Sequence, residues 1–350
     1  MTVNYIEIAG RKIGPGYPPY IIAELSANHN GDIERAYKIM EAAKKAGADA
    51  IKLQTYRADT ITIDCDNDDF QIKGGLWDGQ TLYNLYKGAQ MPWEWHELLF
   101  EKAKELDITI FSSPFDFTAV DLLESFDVPA YKIASFEAVD IPLIQYVART
   151  GKPMIISTGM ANKDEIAEAV SAAKDAGCKQ LVVLHCVSGY PAPAADYNLA
   201  TIPDMIQRFE VISGLSDHTI DNTTAIASVV LGASVIEKHV TLDRTGGGPD
   251  DSFSLEPDEL AQLCRDARIA WEALGNVNYE RKESEKGNAQ FRRSLYVVRD
   301  IAAGEAFTEK NIKSIRPGFG LPPNMYYKVL NKNSNKNLKM GHPLSIDDVE

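Results

Sequence analysis

Short β-branched runs alternate along the chain with stretches that repeat apolar residues at helical spacing. The runs predict eight strands: YIIAEL (20–25), DAIKLQ (49–54), ITIFSS (108–113), AYKIAS (130–135), PMIIST (153–158), QLVVLHC (180–186), EVISGLS (210–216) and SVIEKHV (234–240). Between them, DIERAYKIMEAAKKAG (32–47) has helical periodicity and closes on Lys-Lys-Ala-Gly, a helix C-terminal signature. NKDEIAEAVSAAKDAG (162–177) does the same with Asn162 placed as its cap, and EPDELAQLCRDARIAWEALG (256–275) is the last long helix.

Eight strands, each followed by a helix or a long loop, predict parallel pairing through right-handed crossovers. Eight is the number that closes a (β/α)8 TIM barrel, an α/β fold. A doubly wound open sheet is the competitor, but it usually has fewer units, and no Gly-rich phosphate loop follows the first strand here. Residues 57–92 form an insertion after the second strand, on the face where barrel loops build active sites. The stretch 276–293 is polar and charged and reads as a linker. The domain organisation expected is therefore a barrel over 1–275, the linker, and a small domain over 294–350. That small domain holds a weak internal echo, 297–313 against 335–350, and its core is small enough to predict reliance on a partner.

Composition narrows the function classes. A net charge of −14 argues against nucleic acid and anionic membranes as partners. It leaves an anionic small molecule open, since lysines and histidines gathered in a cleft reverse the local field. The four cysteines, Cys65, Cys178, Cys186 and Cys264, show no CxxC or zinc spacing and read as buried free thiols. The N-terminal stretch lacks a basic-then-apolar signal and no run reaches membrane-spanning length, which places the protein in the cytoplasm.

The strand ends carry the chemistry. In order they offer Glu24, Ser26, Asn28 and His29; Lys52 and Gln54; Ser112 and Ser113; Lys132, Ser135 and Glu137; Ser157 and Thr158; His185, Ser188 and Tyr190; Ser216, Asp217 and His218; Glu237, Lys238 and His239. Every strand turns polar at the same end, where barrel active sites lie. Side chains alternate faces, so Lys52 shares a face with Gln54, Ser135 with Glu137, Ser216 with His218, and Glu237 with His239. Lys132 has the wrong parity relative to Ser135, which leaves either a bulge or a side chain reaching over the rim.

His218 and His239 end adjacent strands and suit a shared, exchangeable divalent ion such as Mn²⁺, Mg²⁺ or Co²⁺, with Glu237 or Asp217 orienting them. A lone strand-end histidine is more often structural. Lys52 and Lys132, with Ser135, Ser157 and Ser216 as neutral donors, suit a phosphate. A lysine Schiff base, as in barrel aldolases, is the rival. Glu24 and Glu137 are acid/base or sugar-hydroxyl candidates; the plainer alternative is salt bridges to Lys52 and Lys132. Asp250, in GGGPDDSFSLEP (246–257), is placed to reach the metal through water, or it belongs to an acidic loop.

AELSANHNG, GADAIKLQTY, FSSPFD, AYKIASFE, ISTGM, GLSDHT and EKHVTLD…GGPDDSFSLEP resemble the motifs of the sialic acid synthases. These enzymes join phosphoenolpyruvate to an amino-sugar aldehyde. The tail RSLYVVRDIAAGEAFTEKNIKSIRPGFGL resembles their C-terminal antifreeze-like (SAF) domain. The resemblance implies His218 and His239 as metal ligands. It implies Lys52, Lys132, Ser135, Ser157 and Ser216 as phosphoenolpyruvate contacts, with Ser188 standing where the family often has Asn and Ser113 where it often has Thr. It places Glu24, Gln54, Tyr190 and Asp250 around the acceptor sugar and makes Glu137 a catalytic carboxylate. It makes Arg316 an arginine that one subunit inserts into the other's barrel, hence a domain-swapped homodimer. FQIKGGLWDGQTLYNLYKGAQMPWEWH (70–96) is similar to the branch that makes pseudaminic acid. The acceptor expected there is 2,4-diacetamido-2,4,6-trideoxy-L-altrose. An N-acetylneuraminate or legionaminate synthase, a Schiff-base aldolase and a non-catalytic carbohydrate-binding protein are the alternatives.

Overall fold

The computed structural model describes residues 5–75 and 77–350. It divides into two compact units, Met1–Gly275 and Asn276–Glu350. The first opens on a hairpin, β1 (Ile6–Ile8) and β2 (Arg11–Ile13), turned at Ala9 and Gly10, both of which have positive φ. Eight parallel strands follow: β3 (Tyr20–Glu24), β4 (Ala50–Thr55), β5 (Thr109–Pro114), β6 (Tyr131–Ile133), β7 (Met154–Ser157), β8 (Leu181–Cys186), β9 (Ile212–Asp217) and β10 (Val235–His239). They close in chain order, β10 pairing with β3 so that His239 lies opposite Glu24. The fold is the (β/α)8 barrel that the alternation of strand and helix patterns predicts.

The helix signals act locally. Asp32 and Asn162 each accept backbone N–H bonds at the start of helices Ile33–Ala46 and Lys163–Asp175, and Gly47 ends the first with φ 94°. Helices Trp95–Glu105, Phe117–Ser125, Ile141–Ala148, Thr201–Phe209 and Thr223–Val230 complete the outer layer. The insertion is built rather than loose. It holds the turns Ala58–Ile61 and Asp68–Phe70 and the helix Leu82–Ala89.

The N-terminal halves of the barrel strands point Ile22, Ala50, Phe111, Ile155, Val182, Leu184, Ile212 and Val235 inward, and Ile6, Ile8 and Ile13 of the hairpin join the same buried cluster. The lower half of the barrel is thus packed solid, as barrel interiors are. Gly214 belongs to this packing. A Cβ there would lie 2.2 Å from the Val235 carbonyl oxygen of the neighbouring strand.

The second unit pairs β11 (Ser294–Val297) with β12 (Ile312–Ile315) over Leu295, Val297, Ile301, Phe307, Ile312, Val329, Leu338 and Leu344. The internal echo is structural. Ile301 and Leu338 bridge one another, Gly304 and Gly341 both have positive φ, and Phe307 and Leu344 are both fully buried. Residues 276–282 are exposed, and Glu283–Phe291 forms exposed 3₁₀ turns. No helix among the described residues is long and apolar enough to cross a membrane.

Candidate active site at the C-terminal end of the barrel

Above the apolar plug the inward positions become charged. Lys52 Nζ lies 2.6 Å from a Glu24 carboxylate oxygen and 3.4 Å from Glu237 Oε1. Lys132 Nζ lies 3.2 Å from the same Glu237 oxygen. All four side chains are buried, two cations against two anions. Isolated ions here would cost several kcal/mol each to desolvate, so the layer persists only because it is paired. Burial pushes Glu24 up, the Lys52 ammonium opposing it. Burial also acts to raise Glu237, but the Lys132 and Lys52 ammonium groups outweigh it and hold Glu237 low. Lys52 is raised: its two carboxylate neighbours overcome desolvation. Lys132 is lowered, since desolvation exceeds the pull of Glu237.

The plainer reading of the glutamates holds for one of the two. Glu24 is ion-paired with Lys52, whereas the partner of Lys132 is Glu237 and not Glu137. Glu137 Oε2 is buried with no hydrogen-bond partner among the described residues. Desolvation pushes its carboxyl up to about 7.

Hydroxyls ring this layer. Lys52 donates to Ser113 Oγ at 3.2 Å. Ser216 Oγ stands 3.5 Å from Glu237 Oε1, and Ser135 Oγ accepts the Gly159 N–H at 3.2 Å. Ser157 Oγ and Ser188 Oγ are buried and unpartnered among the described residues. Gly159 is required by this crowding, because a Cβ would lie 2.2 Å from Ser188 Oγ and 2.8 Å from Ser135 Oγ.

The parity of Lys132 resolves without a bulge and without a reach over the rim. β6 ends at Ile133, and Ser135 already belongs to a 3₁₀ turn, so the two-residue period stops between them. Lys132 points straight into the barrel, 1% exposed. Other members of the expected ring face outward. Lys238 binds Asp217 at 2.8 Å and the carbonyls of Thr219 and Asp221, on the opposite face of β10 from Glu237 and His239. Ser112 binds Thr55, and His185 the Tyr197 carbonyl. The inward residue of β8 is Cys186, whose sulfur accepts from Ser135 Oγ at 3.4 Å. Composition treated it as a plain buried thiol; its parity with Ser188 and Tyr190 was the available signal.

His218 and His239 lie next above, ring centroids 5.5 Å apart. Neither Glu237 nor Asp217 orients them. His218 Nδ1 meets the Val187 carbonyl at 2.8 Å, which leaves Nε2 free of that bond. His239 Nδ1 is buried without a hydrogen-bond partner among the described residues, 3.8 Å from Asp250. Burial and the cations around it hold His239 well below its ordinary value, so its imidazole is neutral. Burial acts to lower His218, but Cys186 beside it and the Val187 carbonyl outweigh that and raise it. Two imidazoles side by side fit a divalent ion that takes its other ligands from water or substrate once both are deprotonated. No group of three or more His, Cys, Asp or Glu among the described residues is positioned to hold a metal.

Around the imidazoles, Gln54 donates to Glu24 at 3.1 Å and to Ser26 at 3.2 Å, and Ser26 donates to Asp250. Burial raises the Asp250 carboxyl. Tyr190 lies on His218 at 4.4 Å and on Phe253 at 5.2 Å. The insertion adds an aromatic wall that the strand ends did not disclose. Trp77 packs on Tyr190 at 6.1 Å, and Tyr56 packs on Tyr86 and Phe115. Arg316 belongs to the second unit, where it is exposed just after β12.

A packed barrel with a charged, hydroxyl-lined mouth and paired imidazoles is the architecture of a barrel synthase, and the sequence comparisons agree. Residues 39–279 match the NeuB family and residues 292–350 the SAF domain. The chain is 46% identical over 331 residues to the pseudaminic acid synthase of Campylobacter jejuni subsp. jejuni serotype O:2, covering 95% of this chain and 96% of that one. It is 44% identical over 337 residues to the pseudaminic acid synthase of Helicobacter pylori, covering 95% and 98%. The crystal structure of the N-acetylneuraminic acid (sialic acid) synthetase from Leptospira borgpetersenii serovar Hardjo-bovis, in complex with citrate, superposes with a TM-score of 0.73 at 34% identity, covering 82% of this chain and 96% of that one. The chain belongs to the NeuB family. Within it, this is a nonulosonic acid synthase, a transferase that forms a carbon–carbon bond.

Proposed function

We propose that the enzyme is a pseudaminic acid synthase. It condenses phosphoenolpyruvate with the open-chain aldehyde of 2,4-diacetamido-2,4,6-trideoxy-L-altrose and releases phosphate by C–O cleavage. The observation that carries this is the convergence of unpartnered buried groups at one barrel end. Glu137, Ser157, Ser188, Glu237 and His239 each keep a buried polar atom without a hydrogen-bond partner among the described residues. Native proteins rarely leave such atoms unmet, so a polar ligand is expected to meet them. The likeness to pseudaminic acid synthases supports the choice of sugar.

Lys52 and Lys132 offset the phosphate charge, and Ser113, Ser135, Ser157, Ser188 and Ser216 orient its oxygens. His218 and His239 would hold a divalent cation, Mn²⁺, Mg²⁺ or Co²⁺, which when bound supplies Lewis-acid polarisation of the aldehyde. Glu24, Gln54, Tyr190 and Asp250 position the sugar. C3 of phosphoenolpyruvate bonds to the aldehyde carbon as the carbonyl π pair moves to oxygen, giving an alkoxide, and water adds at the C2 cation. Glu137 serves proton transfer at C2, taking the proton of that water, or at the new alkoxide, which gains one, its value near 7 suiting either direction of transfer. Collapse of the hemiketal phosphate gives the keto acid and phosphate. In this reading the protein is a homodimer, Arg316 of one subunit reaching the other's barrel, and it works in the cytoplasm.

The lowered Lys132 amine is the one observation that favours a Schiff-base aldolase instead. The test is phosphate release from phosphoenolpyruvate, with and without EDTA, across this altrose, N-acetylmannosamine and the legionaminate precursor. Release that needs the altrose and is lost in EDTA is the expected outcome. A reaction indifferent to EDTA, with Lys132 trapped by borohydride, overturns it.

A further inference from the structure

The insertion places one hydrogen-bond donor at the site that no part of the reaction above uses. Trp77 Nε1–H is buried and meets no acceptor among the described residues. An indole nitrogen only donates, so the missing partner is an acceptor oxygen. A buried donor left unmet costs roughly 1–3 kcal/mol, which a bound ligand would relieve. The ring beside that N–H packs on Tyr190, and Tyr190 packs in turn on His218 and Phe253. The unmet donor therefore sits against an aromatic surface. One common sugar substituent answers both features. An acetamido group has a carbonyl to accept the N–H and a flat amide with a methyl to lie on aromatic faces.

The succession of ring contacts outward from the imidazoles bears on which acetamido group this is. Trp77 is one aromatic layer beyond Tyr190, at 6.1 Å, and Tyr190 is 4.4 Å from His218. In the proposed reaction the aldehyde carbon lies at the imidazoles. The C2 substituent is then adjacent to the reacting carbon, and the C4 substituent projects further along the sugar. We propose that Trp77 is a specificity-determining residue whose indole N–H donates to the carbonyl of the acceptor's 4-acetamido group. This rests on the reading of the acceptor as a 2,4-diacetamido sugar. The insertion then selects doubly acylated acceptors by depriving a buried donor of its carbonyl partner when the C4 group is not an acetamide.

Trp77→Phe keeps an aromatic ring and removes the donor together with part of the indole's contact area, and the second sugar controls for that lost area. In wild-type enzyme and Trp77→Phe, kcat/KM is measured for the diacetamido altrose and for N-acetylmannosamine, which carries only the C2 acetamido group, along with KM for phosphoenolpyruvate. The expected result is a loss of about tenfold for the diacetamido sugar. The value for N-acetylmannosamine and the phosphoenolpyruvate KM should change by less than about twofold, within the range of a peripheral substitution. Equal losses on both sugars, or no loss on the diacetamido sugar, overturn the assignment of Trp77 and leave the synthase reading standing. Wild-type enzyme that prefers N-acetylmannosamine overturns the choice of acceptor, and this inference with it.

Discussion

Lys132 and Glu237 face each other across the barrel interior with Nζ 3.2 Å from Oε1, and the same oxygen lies 3.4 Å from Lys52. One carboxylate therefore separates two buried ammonium groups that would otherwise repel.

Glu237→Gln removes that carboxylate's charge and leaves Lys132 without a counterion. Breaking one side of a buried pair typically costs about 3–5 kcal/mol. We expect a loss of that order in urea unfolding. Glu237→Gln combined with Lys132→Met should recover part of it, because the orphaned cation is gone. Losses that simply add would show that the two residues are not coupled.

Glu137 carries a pH signature. Its carboxyl is held up at about 7 by burial, against 4.5 for an ordinary glutamate. The folded protein thus binds this proton more tightly than the unfolded chain. Its contribution is complete below about pH 4.5 and is lost as pH rises through about 7. Glu137→Gln is expected to be more stable than wild type at pH 8, by about 1–3 kcal/mol, with no advantage at pH 4. The same substitution should lower kcat about 10²–10⁴-fold and erase the inflection near pH 7 in the kcat/KM profile. A profile that keeps the inflection assigns it to another group.

Gly159 gives a test of the hydroxyl ring that leaves the charges alone. In Gly159→Ala the new methyl would displace the side chains of Ser188 and Ser135. The KM for phosphoenolpyruvate should rise about tenfold, the loss of one or two hydrogen bonds to a charged group. The thermal midpoint should change by only a few degrees. An unchanged KM would remove these serines from the phosphate cradle.

Arg316 tests the composite site. Arg316→Ala is expected to raise the acceptor KM and lower turnover. Mixing it with Lys132→Met, each impaired for a different reason, should raise activity above that of either variant when the subunits exchange. Failure to complement, with exchange verified by mass, would confine Arg316 to its own chain.

Much of this was legible in the sequence because strands have a strict period of two. Glu237 and His239 share parity and both enter the site, while Lys238 between them turns out to Asp217. The same rule separates His218 from Asp217. The period fails where the strand stops: β6 is three residues long, and Ser135 returns to the site through a 3₁₀ turn. The hairpin that fills the barrel floor is written in YIEIAGRKI as alternation about a turn, but three-residue strands offer too few positions to stand out. The ring contacts of Trp77 with Tyr190 and of Tyr86 with Tyr56 were not legible at all. Their packing depends on how a long insertion folds back over the mouth, which no local periodicity encodes.

The isoleucine-filled floor makes the barrel a cul-de-sac. In the proposed reaction, with the lysine layer at its closed end and the imidazoles nearer the opening, phosphoenolpyruvate arrives first and the sugar behind it. Phosphate then waits until the nine-carbon product has cleared the doorway. Steady-state kinetics should be strictly ordered, and inorganic phosphate should compete with phosphoenolpyruvate but not with the sugar.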